Sequence, residues 1–127
     1  MEAVIYLDTH VLMWLHSGDL AFMSPKAREL MDQHEVLISP MVLLELQYLS
    51  ESKRLHLPPH QLVENLSNEM GLKVCEKLFL RVVHEASQHR WTRDPFDRLI
   101  TAHAALDKNV LITKDEIIRR HYARAVW

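Results

Sequence analysis

The chain has 127 residues, of which 48% are hydrophobic and 25% are charged, and its formal net charge is −2 at pH 7. This length and composition predict a single globular domain, residues 1–127, with a sizeable core. No apolar run approaches the roughly 20 residues of a membrane-spanning helix. The opening stretch "MEAVIYLDTH" is acidic where an export signal is basic. We therefore expect a cytoplasmic protein that makes no use of a membrane.

Glycine and cysteine are both scarce, which excludes several kinds of site. The two glycines, Gly18 and Gly71, leave almost no scope for a phosphate-binding loop of the P-loop or dinucleotide-binding type. The single cysteine, Cys75, cannot form an internal disulfide, and its apolar neighbours predict a small buried side chain. Nucleotide-cofactor enzymes and disulfide-bonded secreted domains are thus disfavoured.

Charge is distributed unevenly along the chain. Residues 1–72 carry 4 Lys or Arg against 10 Asp or Glu, a net charge of −6, whereas residues 73–127 carry 11 against 7, a net charge of +4. A basic half suits a polyanion held beside an acidic site. The overall charge near zero argues against a protein that coats nucleic acid nonspecifically.

Short apolar runs alternate with longer helical patterns. The predicted strands are 3–7, 35–39, 72–75, 109–113 and, as a possible last one, 124–127. The predicted helices are 10–17, 25–34, 40–52, 60–69, 76–90, 95–107 and 115–121. Strands that are apolar throughout indicate burial on both faces, as in a parallel sheet. The pattern predicts a three-layer α/β/α sandwich around a central, mainly parallel sheet of four to five strands.

Three of the predicted helices begin at a clear signal. Ser24-Pro25, Ser39-Pro40 and Asp94-Pro95 each place a capping side chain directly before a proline. Proline is favoured at the first helical position, where its missing N–H has no partner to lose. We therefore expect helices to begin at these prolines.

Acidic residues recur where strands end. Asp8 follows the first strand directly, and Asp115 follows "VLIT"; Glu45 and Asp97 lie near the starts of two helices. Ligands of open parallel sheets bind beyond the carboxyl ends of the strands, so these four acids are expected at one edge. Each has a structural alternative. Asp8 could cap a helix, Asp94 and Asp97 could form a capping pair, and Asp115 could favour the positive end of a helix.

Glu45 is harder to explain structurally, because apolar residues surround it in the helical pattern: Met41, Val42, Leu44, Leu46, Tyr48 and Leu49. A carboxylate on an apolar face is costly unless it is paired, protonated or bound to a metal. A core glutamate bonded to Arg or Tyr remains an alternative. We interpret Asp8, Glu45, Asp97 and Asp115 as metal ligands, with Asp94 either supporting the site or replacing Asp97 as a ligand. Oxygen ligands favour Mg²⁺ or Mn²⁺ over zinc.

Four stretches, "VIYLDTHVLMWL", "SPMVLLELQYL", "RDPFDRLITAHA" and "LITKDEII", resemble the acidic motifs of PIN-domain ribonucleases, and more narrowly of VapC-type toxins from toxin–antitoxin modules. The resemblance covers essentially the whole chain and implies a metal-dependent endoribonuclease that uses Mg²⁺ or Mn²⁺. It assigns catalysis to the four acids and supporting hydroxyls to Thr9 and Thr113. It also implies a homodimer and a cognate antitoxin that blocks the site.

Candidates for contact with the RNA flank the acids. They are Arg98, Arg93, Lys114 and, for base stacking, Trp91. Each could equally be an ordinary salt bridge, cap or packing residue. His10 and His103 lie nearest the acids and could touch substrate or pack. The alternative function is a catalytically silent PIN-fold module that binds RNA or protein, which would be expected to have lost one or more of the acids.

Overall fold

The computed structural model describes residues 4–127, so Ala3, the first residue of the first predicted strand, lies outside the described part. The strands are β1 (Val4–Leu7), β2 (Glu35–Ile38), β3 (Lys73–Val74), β4 (Val110–Ile112) and β5 (Ala125–Val126). The helices are α1 (Thr9–Ser17), α2 (Pro25–Gln33), α3 (Pro40–Glu51), α4 (Pro59–Met70), α5 (Phe79–Ala86), α6 (Pro95–Ala105) and α7 (Glu116–His121). A 3-10 turn, Leu20–Phe22, follows α1. None of the helices within residues 4–127 is long and apolar enough to cross a membrane.

The five strands form one parallel sheet in the order β3-β2-β1-β4-β5. In its centre, Ile5 lies opposite Val36 on one side and Val110 on the other. Ile5, Tyr6 and Leu7 are each at most 1% exposed. Because successive strand residues point to opposite faces, their common burial means that helices cover both faces of the sheet. The predicted three-layer α/β/α sandwich is confirmed.

The largest error in the prediction concerns α5, which was expected over 76–90 and is much shorter. Lys77 lies in an extended segment before it, where its ammonium donates to the carbonyl of His103 and to Asn109 Oδ1 (3.0 Å) and pairs with Asp107 (3.2 Å). These long-range bonds hold the chain away from helical geometry until Phe79. The edge strands β3 and β5 are also shorter than predicted, at two residues each.

The predicted helix starts are confirmed by their capping bonds. Ser24 Oγ accepts from the N–H of Ala27 (3.0 Å), and Ser39 Oγ accepts from the N–H of Met41 (3.0 Å). Asp94 Oδ1 accepts from the N–H of Asp97 (3.0 Å). Each bond satisfies one of the N–H groups that the first turn of a helix leaves without a partner.

Ser39 has a second contact that joins α3 to α6. Its Oγ lies 2.7 Å from Nδ1 of His103, which also lies 3.0 Å from the carbonyl oxygen of Leu99. Ser39 and His103 are each 1% exposed, and burial lowers the pKa of the imidazole. The bond therefore links two buried polar groups, and it fixes the start of α3 against the last turn of α6.

We expect Ser39→Ala to destabilise the chain more than Ser24→Ala does. Both changes remove a cap and should cost about 1 kcal/mol on that account. Ser39→Ala also takes a hydrogen-bond partner from a buried imidazole, which should bring its total to about 2 kcal/mol or more. Urea unfolding of the two variants beside the parent measures the difference. Equal losses would show that the contact with His103 adds nothing to stability.

Candidate metal centre

Four acids line one pocket of about 340 Å³ at the carboxyl edge of the sheet. Asp8 and Asp115 follow β1 and β4, which are neighbours in the sheet; Glu45 lies in the second turn of α3 and Asp97 in the first turn of α6. The rest of the lining is His10, Val11, Trp14 and Lys114. Two larger cavities, of about 530 and 490 Å³, contain none of these acids. The structure thus brings together the four acids that the sequence pattern places at one edge.

Asp8 is held by hydrogen bonds on both of its oxygens. Oδ1 accepts from the N–H of Thr9 (2.8 Å), and Oδ2 accepts from the hydroxyl of Thr113 (2.6 Å). Burial nevertheless raises the pKa of this carboxyl, and the charge of Asp115 raises it further. Each carboxylate oxygen has a second lone pair. The bonds therefore orient Asp8 without removing its capacity to bind a cation.

Glu45 is half-buried and accepts a hydrogen bond at Oε1 from the hydroxyl of Thr9. Burial raises its pKa. Its surroundings are less apolar than the sequence suggests, because Leu44 and Tyr48 are 42% and 54% exposed. Glu45 therefore sits at the margin of the packed face of α3, where its carboxyl reaches the pocket.

Asp94 and Asp97 have different positions although they are three residues apart. Asp94 is exposed, caps α6 and does not line the pocket. Asp97 is half-buried and does line it. Burial raises the pKa of Asp97 to about 7, together with the negative charges of Asp94, Asp8, Asp115 and Glu45. The geometry favours Asp97 over Asp94 as a ligand, while Asp94 adds negative charge from outside.

Asp115 combines both of the roles considered for it. Its Oδ1 accepts from the N–H groups of Ile117 (2.8 Å) and Ile118 (2.9 Å), which caps α7, and the residue lines the pocket. Its own N–H donates to Thr113 Oγ1 (3.1 Å), the same hydroxyl that donates to Asp8. The fully buried hydroxyl of Thr113 thus links Asp8, which follows β1, to Asp115, which follows β4.

A divalent cation fits the chemistry of this donor set. Among residues 4–127, no three His, Cys, Asp or Glu side chains are already arranged to hold a metal ion. The pocket nonetheless gathers four carboxylates, and Lys114 is its one basic lining residue apart from His10. Oxygen donors suit Mg²⁺ or Mn²⁺, whose charge would offset the repulsion that raises the pKa of Asp97.

Of the proposed RNA contacts, Lys114 is the one at the pocket. Its ammonium lies 5.9 Å from the centre of the Trp14 ring. Arg98 donates from Nε (3.2 Å) and Nη2 (3.0 Å) to the carbonyl of Ala86, a bond that joins α6 to α5. Arg93 is exposed and lines a separate cavity with Arg98.

Trp91 is half-buried and already engaged within the protein. Its ring stacks on His121, with centres 5.3 Å apart, and its Nε1 donates to His89 Nδ1 (3.1 Å). It does not line the acidic pocket. The arrangement favours the packing role that the sequence left open for Trp91.

Trp14 was not predicted to belong to the site, and His10 was left with two possible roles. Residues 10, 11 and 14 share one face of α1 just after Asp8, and all of them line the pocket. His10 is exposed there, whereas His103 is buried and outside the lining. The i, i+4 spacing from His10 was the available signal for Trp14.

The raised pKa of Asp97 predicts a pH-dependent stability. A carboxyl whose pKa rises from 3.8 to about 7 on folding stabilises the fold at low pH, and this contribution is lost as pH rises through that interval. Asp97→Asn is neutral throughout, so it should flatten this part of the profile and exceed the parent in stability above it. Urea unfolding between about pH 5 and 8, with chelator present, measures this.

The control for this experiment is Glu64→Gln, which neutralises an exposed acid of α4 outside the pocket. It should retain the pH profile of the parent. If Asp97→Asn gave that same profile, the burial of Asp97 and the crowding of carboxylates around it would have no measurable effect on stability.

Comparison with known proteins agrees with the fold. Residues 5–123 match the model of the PIN domain family. Among solved structures, the chain is similar to one described as VapBC2 from Rickettsia felis bound to a DNA fragment from their promoter, with a TM-score of 0.63 and 21% identity over 93% of this chain and 92% of that one. At that identity the likeness concerns the fold alone. No curated protein sequence matches significantly. The chain belongs to the PIN domain family.

Proposed function

We propose that this protein is a metal-dependent endoribonuclease that hydrolyses phosphodiester bonds in RNA. The observation that carries the proposal is the convergence of four carboxylates, Asp8, Glu45, Asp97 and Asp115, on one small pocket of a PIN domain. A merely structural origin would not require four acids to share a pocket, because capping explains only Asp8 and Asp115. A catalytically silent binding module would likewise have no need of Glu45 and Asp97 there.

The four acids would hold Mg²⁺ or Mn²⁺, which supplies activation of water and stabilisation of negative charge on phosphate oxygens. The hydroxyls of Thr113 and Thr9 fix the orientation of Asp8 and Glu45. Asp97, with a pKa of about 7, is partly protonated near neutral pH and would release this proton on binding a cation. Lys114 presents an ammonium to an RNA phosphate at the same pocket.

We further propose that the protein is the toxin of a toxin–antitoxin pair. This rests on the resemblance of its four motifs to VapC-type toxins and on the similarity of its fold to the VapBC2 structure from Rickettsia felis. By the same resemblance, its partners would be a cognate antitoxin, which blocks the acidic pocket, and a second copy of the chain. The cytoplasm, where RNA and such a partner are both present, would be its location.

Asp97→Asn should reduce the rate of metal-dependent RNA cleavage about a hundredfold or more, because it removes a charged ligand. Asp94→Asn should retain most of the activity, since Asn also caps helices and residue 94 lies outside the pocket. Cleavage sites in total cellular RNA, mapped with Mg²⁺ or Mn²⁺ and again with chelator, measure both variants beside the parent.

The pair of variants makes the assignment falsifiable. Loss of activity in Asp94→Asn with retention in Asp97→Asn would exchange the roles of the two aspartates. Cuts that persist in both variants and in chelator would come from another nuclease. A parent protein that cleaves no RNA with either metal would point instead to a binding module.

Lys114→Gln should weaken RNA binding through the loss of one phosphate contact. We expect the dissociation constant to rise about three- to tenfold and the salt dependence of binding to fall by about one ion. Lys26→Gln removes an exposed lysine of α2 and should change neither quantity. Titrations of labelled RNA at several salt concentrations, with cleavage suppressed by chelator, give both numbers. Identical salt slopes for the two variants would remove Lys114 from the RNA site.

A further inference from the structure

Aromatic rings extend from the acidic pocket to the surface. Trp14 lines the pocket, and Phe22 stacks against it with ring centres 5.6 Å apart and planes inclined by 26°. Trp127 contacts Trp14 edge-on at 5.7 Å, and His10 lies at 6.2 Å. The Trp14–Phe22 pair thus begins at the acids and ends in solvent, where Phe22 is 52% exposed.

The backbone is built to place Phe22 on Trp14. Gly18 ends α1 with a φ of +78°, a conformation that favours glycine and reverses the chain. The N–H of Asp19 then bonds to the carbonyl of Trp14 (3.1 Å), and the 3-10 turn Leu20–Phe22 follows. Met23, 5% exposed, anchors the end of that turn in the core. The position of the Phe22 ring is therefore fixed by the fold.

Core packing explains Trp14 but does not explain Phe22. A phenylalanine held in place with half of its surface exposed leaves one ring face available as a stacking partner. Because the pair continues from the pocket, a ligand that reaches the acids passes this face. Lys114, with its ammonium 5.9 Å from the centre of the Trp14 ring, places a positive charge in the same pocket as the carboxylates.

We propose that Trp14 and Phe22 form a nucleobase platform for single-stranded RNA, on which a base near the scissile phosphate stacks against the exposed face of Phe22. The proposal deepens the proposed nuclease function and rests on it. Planar bases suit this surface because stacking on an aromatic ring needs no base-specific hydrogen bonds. The ammonium of Lys114 beside the rings suits the phosphate that accompanies each base. The platform sets the path of the RNA rather than the chemistry of cleavage.

The test uses the full chain carrying Asp97→Asn, so that RNA binding is measured without cleavage. Phe22→Ala is compared with Phe79→Ala, which removes the same side chain from α5 at nearly the same exposure, 51%. With fluorescein-labelled oligoadenylate, Phe22→Ala should raise the dissociation constant about five- to tenfold or more, and Phe79→Ala should leave it within about twofold. Phe22→Trp should restore tight binding.

A second probe separates stacking from a general structural effect. On an abasic oligomer with the same phosphates, Phe22→Ala should bind as the parent does, because no base is present to stack. Equal weakening on both probes, or no weakening on oligoadenylate, would overturn the platform. So would a loss of affinity confined to a protein partner, since that result would assign the face to protein docking.

The failure of the platform can be distinguished from the failure of the nuclease proposal. If the protein with native Asp97 cleaves RNA and Phe22→Ala binds oligoadenylate normally, the platform fails and the nuclease stands. If that protein cleaves no RNA while binding still requires Phe22, the nuclease fails and the surface remains a single-strand binding site.

Discussion

Four carboxylates around one small pocket repel each other, and the fold must hold them there. The parallel sheet does this by placing β1 beside β4, so that Asp8 and Asp115 follow adjacent strands at the same edge. Donors then offset part of the charge: helix N–H groups bond to both aspartates, and the hydroxyls of Thr9 and Thr113 bond to Glu45 and Asp8. Burial and the remaining negative charge together raise the pKa of Asp97 to about 7. In the metal-free chain, this crowding of buried carboxylates costs stability.

The helices that carry Glu45 and Asp97 have to be positioned as firmly as the strands. The buried contact between Ser39 and His103 fixes the start of α3 against the last turn of α6. Arg98 does the same for α6 and α5 through the carbonyl of Ala86. These polar contacts lie outside the pocket lining, yet they help to hold α3, α5 and α6 together. The site is therefore a product of helix packing as well as of sheet order.

Local chemistry made much of this arrangement predictable from the sequence. Ser-Pro and Asp-Pro pairs marked helix starts, because capping and proline geometry act within a few residues. Acids that follow apolar strands were expected at one edge of the sheet, because parallel strands all end at the same edge. The failures depend on long-range contacts. The late start of α5 follows from Lys77 bonding to Asn109, and the exposure of Leu44 beside Glu45 follows from how α3 packs. The pairing of Trp14 with Phe22 requires the chain reversal at Gly18, which no periodicity reveals.

Electrostatics alone would not attract RNA to this protein. The net charge is −2, and the pocket itself is lined by four acids and one lysine. A bound divalent cation would offset only part of that charge, so affinity for a polyanion has to come from another source. Stacking is such a source, because its strength does not depend on net charge and it tolerates any base. If the bases of an RNA stacked beside Trp14 and Phe22, they would hold one of its phosphates near the acids despite the repulsion between the negative charges. On this view the aromatic pair and the acidic pocket depend on each other, since neither would suffice to select single-stranded RNA.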